Sequence, residues 1–227
     1  MTETIITVQG EYSAWYPAER ATVAASVHTD GAHRDDVFVR AVEASDSLRN
    51  LIESIHDKQA GPITWWSSDS VQIWSERPFN NEGKQLDPVF HAAVDFAAKF
   101  REFGALAGWV ESAVGIDGVT INSIEWALTD TTRTSATVEV RSRAVKDAVA
   151  KASVYAQSIG LGSVTATALA DPGMLGDPSG AGAGSQPGFV RGAMKAVSFD
   201  GSGMPQLALK PKEIAVTSTV DARFVAK

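Results

Sequence analysis

A chain of 227 residues with 44% hydrophobic and 21% charged residues is long enough to bury a sizeable core, which excludes disorder over its whole length. Its formal net charge of −7 disfavours binding to nucleic acid or to anionic lipid, because no basic patch offsets it. The absence of cysteine excludes disulfides, thiolate catalysis and cysteine metal sites. The chain has neither a run of about 18 apolar residues nor a basic and apolar leader, so we expect a cytoplasmic protein without a membrane span.

Hydrophobic periodicity divides the first 100 residues into five elements. In chain order these are strands over 4–16 and 19–29, a helix over 33–57, and strands over 63–77 and 85–99. We expect the first two strands to form a hairpin through Pro17. The last two strands should form a long hairpin around the turn-forming residues 79–84.

Alternation is clearest in the strand over 85–99. Its core face is predicted to carry apolar side chains, namely Phe90, Ala92, Val94, Phe96, Ala98 and Phe100. The outward face carries His91, Asp95 and Lys99. Such a row is typical of solvent or of an interface rather than of a proton relay.

The second half of the chain adds three strands and two helices. They are a helix over 102–113, a strand over 119–128, a helix over 131–159, a strand over 164–170 and a final strand that includes 214–224. A switch of apolar parity between Ile121 and Ile124 predicts a β-bulge. In the segment over 131–159, Val138, Val145, Ala152 and Ile159 lie at intervals of seven, with Ala148 and Tyr155 at neighbouring positions, which predicts one long helix rather than a strand.

The order β-β-α-β-β-α-β-α-β-β predicts an α+β fold, with antiparallel sheets and two long helices packed on them. A β-α-β-β order recurs over 19–99 and 119–226, which suggests an internal pseudo-repeat of architecture. We expect a single domain over 1–227. A Gly/Pro/Ser-rich segment at 172–205 interrupts the last strand pair, and its composition predicts a flexible insertion.

The opening segment ITVQGEYSAWYPAERATVAASVHTDG resembles the "ITVxGxGxxxxxPDxAxxxxxVxxxG" start of the SIMPL domain family, a family of largely unknown function. The similarity continues in the first helix, in the long strand pair, in GVTINSIEWALTD at 118–130 and in the helix end at 156–161. It reaches the terminal EIAVTSTVDARF with Pro211 upstream. The resemblance therefore spans nearly the whole chain and is carried by the order and spacing of elements.

The resemblance implies an α+β fold and a tendency toward large ring-like or channel-like oligomers. Bacterial relatives look secreted or periplasmic and are linked with oxidative-stress tolerance, and an animal relative is an adaptor that binds a kinase of innate immune signalling. The absent leader puts a periplasmic role in doubt for this sequence. The family supplies no agreed catalytic residues, so none is carried over.

The chemistry-bearing residues do not form a recognisable catalytic or metal-binding motif. The four histidines, His28, His33, His56 and His91, lack ligand-pair spacing, and only one Glu-x-x-His, at Glu53, is present. Paired carboxylates are equally unsupported: Asp35 and Asp36 suit the start of a helix, and Asp69 with Glu76 has no motif around it. There is no G-x-S-x-G elbow, and GAGAG at 180–184 lacks the strand and helix of a dinucleotide site. We therefore predict no catalytic residue, no cofactor and no metal.

Tryptophan carries more information. Trp65, Trp66 and Trp74 lie on one predicted strand, and the adjacent pair must point to opposite faces. Either both faces of the sheet are buried, or at least one of these residues belongs to an interface.

Two functions remain open from the sequence. The first is a non-enzymatic protein that forms homo-oligomers or binds a partner, with Trp65, Trp66 and Trp74 as the candidate interface. The alternative is a small-ligand binder or cryptic enzyme, whose pocket between helices and sheet is covered by the 172–205 loop.

Overall fold

The computed structural model describes residues 3–175 and 209–227. In chain order the described elements are β1 (Thr4–Tyr16), β2 (Arg20–Gly31), α1 (Arg34–Glu53), β3 (Ile63–Ser68), β4 (Gln72–Glu76), β5 (Val89–Phe100), α2 (Phe103–Val114), β6 (Val119–Ala127), α3 (Asp130–Ser158), β7 (Val164–Ala170) and β8 (Ile214–Ala226). The predicted α+β class is confirmed. The single strand expected over 63–77 is two strands, and the other elements appear in the predicted order.

The chain divides into two compact units, each built on its own antiparallel sheet. The three-stranded unit contains β1, β8 and β7 in that order, together with α3. The five-stranded unit has the order β3-β5-β2-β6, with β4 also paired to β5, together with α1 and α2. The single-domain interpretation stays a prediction.

The expected hairpin between the first two strands is wrong. β1 pairs with β8 in one sheet, whereas β2 lies between β5 and β6 in the other. Alternation of apolar residues identifies a strand but does not identify its partner. Here the short connection at Pro17 carries the chain from one sheet to the other, and the end of the chain supplies the neighbour of β1.

The five-stranded sheet is broken along one edge. β3 and β4 both pair with β5, and between them the backbone amide of Asp69 donates to the carbonyl of Asp95 at 2.9 Å. The turn before β5 is held by Asn80, whose side-chain oxygen accepts from the amides of Glu82 at 3.0 Å and Lys84 at 2.8 Å. The predicted bulge is confirmed, since the β2–β6 register shifts so that Ala24 faces Ser123 and Ala25 faces Ile121.

α3 has the predicted length, and its buried face coincides only in part with the residues that predicted the helix. The buried residues recur every four: Ala136, Val140, Ala144, Ala148, Ala152 and Ala156. Ala148 and Ala152 belong to both sets, whereas Val138 and Ile159 are 64% and 58% exposed. Small residues are required here because α3 approaches β1 closely.

The close approach of α3 to β1 is centred on Gly10. A Cβ at Gly10 would overlap the carbonyl of Ala144 and lie 2.7 Å from the amide of Ala148. Asp147 accepts from the amide of Glu11 at 2.9 Å, and Lys151 donates to the carbonyl of Gln9 at 3.0 Å. α3 therefore satisfies backbone groups on the outer edge of β1 with its own side chains.

The predicted β-α-β-β order is present in the second half as β6, α3, β7 and β8, whereas in the first half three strands, β3, β4 and β5, follow β2 and α1. β6 precedes α3 in the chain and pairs with β2, while β1 takes the place beside β8. Residues 176–205 of the predicted insertion lie outside the described residues. At its start, the amide of Gly173 donates to Asp221 at 2.7 Å, and Arg223 donates to the carbonyl of Leu175 at 3.3 Å.

Candidate binding surface

The two faces of the five-stranded sheet differ in what covers them. α1 and α2 pack on one face, where the predicted core row is buried: Val94, Phe96, Ala98 and Phe100 are at most 3% exposed. Ile63 is also buried on this face, and Trp66 packs against the same cluster. None of the helices described for this unit packs on the opposite face. We call this opposite face the open face.

Strand register places five rows of side chains across the open face. From one end to the other, the rows are Trp65–Lys99–Thr22–Glu125, Ser67–Ala97–Ala24–Ser123, Asp95–Ser26–Thr120, Gln72–Ala93–His28 and Trp74–His91–Asp30. Each row is a set of cross-strand neighbours whose side chains lie within contact range. The third row has no residue from β3 or β4, because the edge is broken there.

Of the three candidate interface tryptophans, two lie on the open face. Trp65 is 48% exposed and Trp74 is 44% exposed, whereas Trp66 lies on the helix-covered face. Their cross-strand partners, Lys99 and His91, are eight residues apart on β5. At about 3.4 Å per residue, the two indoles stand roughly 27 Å apart, one at each end of the face.

The end of the open face that contains Trp74 is an aromatic cluster. The ring of His91 stacks on Trp74 at 5.4 Å and on His28 at 5.6 Å. His91 is 16% exposed, and its Nε2 lies 3.5 Å from a carboxylate oxygen of Glu76. Neither ring nitrogen of His91 has a hydrogen-bond partner among the described residues. Sequence reasoning missed this cluster because the pairing of β2 with β5 is not readable from either strand alone.

The end that contains Trp65 is cationic. The ammonium nitrogen of Lys99 lies 5.8 Å from the centroid of the Trp65 ring, within the range of a cation–π interaction. Between the two ends, the middle rows carry small side chains, chiefly Ala24, Ala93, Ala97 and Ser26. The open face therefore carries small side chains in its middle rows and a projecting tryptophan side chain at each end.

The other candidate groups do not assemble into a site. Among the described residues, no group of three or more His, Asp or Glu side chains could hold a metal ion. Asp35 and Asp36 lie in the first turn of α1, where the helix dipole favours carboxylates. His33 immediately precedes α1, and His56 follows the end of α1, where it forms a bridge with Ile63. No helix in the described part of the chain is long and apolar enough to span a membrane.

Two cavities lie within the five-stranded unit. One, of about 290 Å³, is lined by the charged residues Arg40, Glu43 and Asp117 and by the apolar residues Ala44 and Ile116. The other, of about 280 Å³, lies between α1 and α2 and is mostly apolar, with Leu51 and Trp109 among its lining residues. The residues expected to cover a pocket, 172–205, lie outside the described residues except at 172–175.

Comparisons with known proteins agree with the resemblance in the sequence. The SIMPL family model, described as "Protein of unknown function (DUF541)", matches residues 6–224. No curated protein matches the chain. A solved structure that is similar in part is the crystal structure of an uncharacterized conserved protein from Listeria innocua, at 10% identity and a TM-score of 0.22, covering 96% of this chain and 92% of that chain.

Proposed function

Since the chain belongs to the SIMPL family, whose function is unknown, we propose a function from its own open face. The protein acts by binding rather than by catalysis, and the open face carries that binding through Trp65 and Trp74. Its first partner is another copy of the same chain, so that it works as a homo-oligomer. A role in stress tolerance stays an implication of the family resemblance, and a cytoplasmic location stays a prediction from the sequence.

One observation carries the proposal: two half-exposed tryptophans lie on the same face of one sheet, opposite the helices. A solvated sheet face normally carries polar and β-branched side chains, because an exposed indole leaves a large apolar area in water. Tryptophan is enriched in interfaces, where burial of that area stabilises the complex. Two such residues on one face therefore favour an interface over a solvated surface.

The chemistry of the open face favours binding over catalysis. The family description names no reaction. His91 is the most enclosed titratable group on the open face, and its ring nitrogens are covered by neighbouring atoms. A general base must reach the proton that it abstracts, which these nitrogens do not do in this arrangement.

Light scattering tests the proposal. The wild-type protein at micromolar concentration is expected to have a mass of at least two 24.0 kDa chains. The double variant Trp65→Glu/Trp74→Glu should scatter as one chain, because each carboxylate would have to be desolvated in the interface. Trp15→Glu is the matched control, since Trp15 is 62% exposed but lies on β1 in the other sheet.

Circular dichroism on the same samples separates dissociation from unfolding. The double variant should keep its far-ultraviolet spectrum, because both positions are about half exposed. A wild-type protein that scatters as a single 24 kDa particle refutes the proposal. Equal dissociation by Trp15→Glu would place the interface elsewhere.

The apolar cavity between α1 and α2 favours the second candidate, a small-ligand binder. Gly108 lines the cavity, and a Cβ there would meet no atom within 4 Å, so the space is open to an apolar molecule. A melting-shift screen with small apolar compounds would support this function if a compound raised the melting temperature without changing the mass of the particle.

A further inference from the structure

Resting on the proposed function, we propose that two copies pack their open faces together about a twofold axis that runs along the strands, between β2 and β5. In this arrangement, β5 of each copy lies over β2 of the other. Three contacts define it: Ala97 against the partner's Ala24, His91 against the partner's Asp30, and Lys99 beside the partner's Glu125.

The open face has the area that a stable dimer needs. β5 has 12 residues, so the face is about 40 Å long at about 3.4 Å per residue. The face is four strands wide in two of its rows and three strands wide in the others, so at about 4.8 Å spacing its width is about 14–19 Å. The product is roughly 550–800 Å², which reaches the area each partner contributes to an interface of small to standard size.

The small residues of the middle rows allow this close approach. Sheets that pack face to face lie about 10 Å apart and interlock their side chains. Ala24 and Ala97 are cross-strand neighbours in the second of the five rows, next to the central row of Asp95 and Ser26, and neither side chain projects beyond Cβ. In the proposed arrangement the small side chains of the middle rows of the two copies face each other. The tryptophans of each copy then cover the edge of the partner's open face.

The distribution of charge on the open face favours a twofold axis along the strands over one across them. A twofold axis along the strands places each row of one copy over the same row of the other copy, with β5 over the partner's β2. The Lys99 ammonium then lies next to the carboxylate of the partner's Glu125. An axis across the strands through the centre of the face would instead place Asp95 against the partner's Asp95. Like charges buried opposite each other disfavour that second arrangement.

Cysteine cross-linking tests the contact, since the wild-type chain has no cysteine to interfere. We would mix Ala24→Cys with an Ala97→Cys chain that carries a tag, and oxidise the mixture. A disulfide can join two sheets of a sandwich at facing positions, so the mixture should give a covalent dimer of about 48 kDa, twice 24.0 kDa. Ala24→Cys mixed with Val138→Cys is the control, because Val138 is exposed on α3.

Charge reversal is a second measurement that does not depend on buried positions. Lys99 and Glu125 are both exposed in the single chain. Lys99→Glu should weaken association about tenfold or more, because it places two carboxylates together. Lys99→Glu/Glu125→Lys restores the opposite charges and should return the dissociation constant to within about threefold of the wild-type value.

The outcomes separate this inference from the proposed function. A wild-type protein that is monomeric in light scattering overturns both. If the wild type assembles and Trp65→Glu/Trp74→Glu dissociates it, the open face is the interface. An absent Ala24–Ala97 cross-link, or a failed rescue by Glu125→Lys, then overturns only the twofold packing described here.

Discussion

The substitution Phe96→Ala tests which side chains of β5 point toward the helices and which lie on the open face. Phe96 is 3% exposed and packs in the cluster between the sheet and the α1–α2 layer. Truncation of a buried phenylalanine removes its transfer free energy and leaves a cavity, at a cost of about 3–5 kcal/mol. For a urea dependence of about 2 kcal/mol per molar, the unfolding midpoint should fall by roughly 2 M.

Tryptophan fluorescence is a suitable assay for this change. Five of the six tryptophans lie between residues 17 and 129, so the signal reports mainly on the five-stranded unit. Asp95→Ala is the matched control, because Asp95 is the exposed neighbour of Phe96 on the same strand. His91→Ala should fall between the two, since it loses ring stacking with Trp74 and His28 worth about 0.5–1.5 kcal/mol for each pair. A midpoint shift for Asp95→Ala as large as that for Phe96→Ala would refute the face assignment.

Two further predictions concern the contact between α3 and β1. Gly10→Ala should destabilise the three-stranded unit by about 3 kcal/mol or more, because the added Cβ meets backbone atoms of α3. Gly108→Ala should not destabilise the five-stranded unit, because a Cβ there meets open space. Amide hydrogen exchange, measured separately for the two units, compares the two variants. Hydrogen bonds from Lys151 and from the Glu11 amide lower the pKa of Asp147. The ionised Asp147 therefore stabilises the fold at pH values above its ordinary pKa of about 4, and this contribution is lost as the pH falls through the lowered pKa. In urea titrations, Asp147→Asn should therefore be less stable than the wild type at pH 7, with the difference shrinking below pH 4; a difference that is constant with pH would contradict the assignment.

The elements of this fold were largely predictable because the signals that define them are local. Each of these signals depends on residues within one segment of the chain, as for the alternation in β5, the parity switch in β6 and the length of α3. What failed was non-local. The neighbour of β1 lies about 200 residues away in β8. The buried face of α3 is a stripe of small residues at every fourth position, and the close approach at Gly10 selects this stripe over the larger apolar side chains of the helix.

The candidate surface shows the same division. That Trp65 and Trp66 point to opposite faces follows from strand geometry alone, and the structure has them on opposite faces; which of the two faces the helices could not be assigned from the sequence. The stacking of His28, His91 and Trp74 was not predictable, because it requires the register of three strands at once. Outward positions on separate strands can be assigned from sequence, but only the pairing tells which of them become neighbours.

The strand edges explain why association by a face is more consistent with this fold than association by an edge. An unpaired edge invites another strand only where it is long, regular and uncovered. Among the described residues, β3 and β4 form an edge broken at 69–71, β6 carries a bulge, and β7 is short with a register shift of its own. The remaining edge, β1, donates and accepts through Asp147 and Lys151 of α3. Each edge is thus interrupted or occupied, and the open face is the regular surface of the five-stranded sheet that can still be buried by a second molecule.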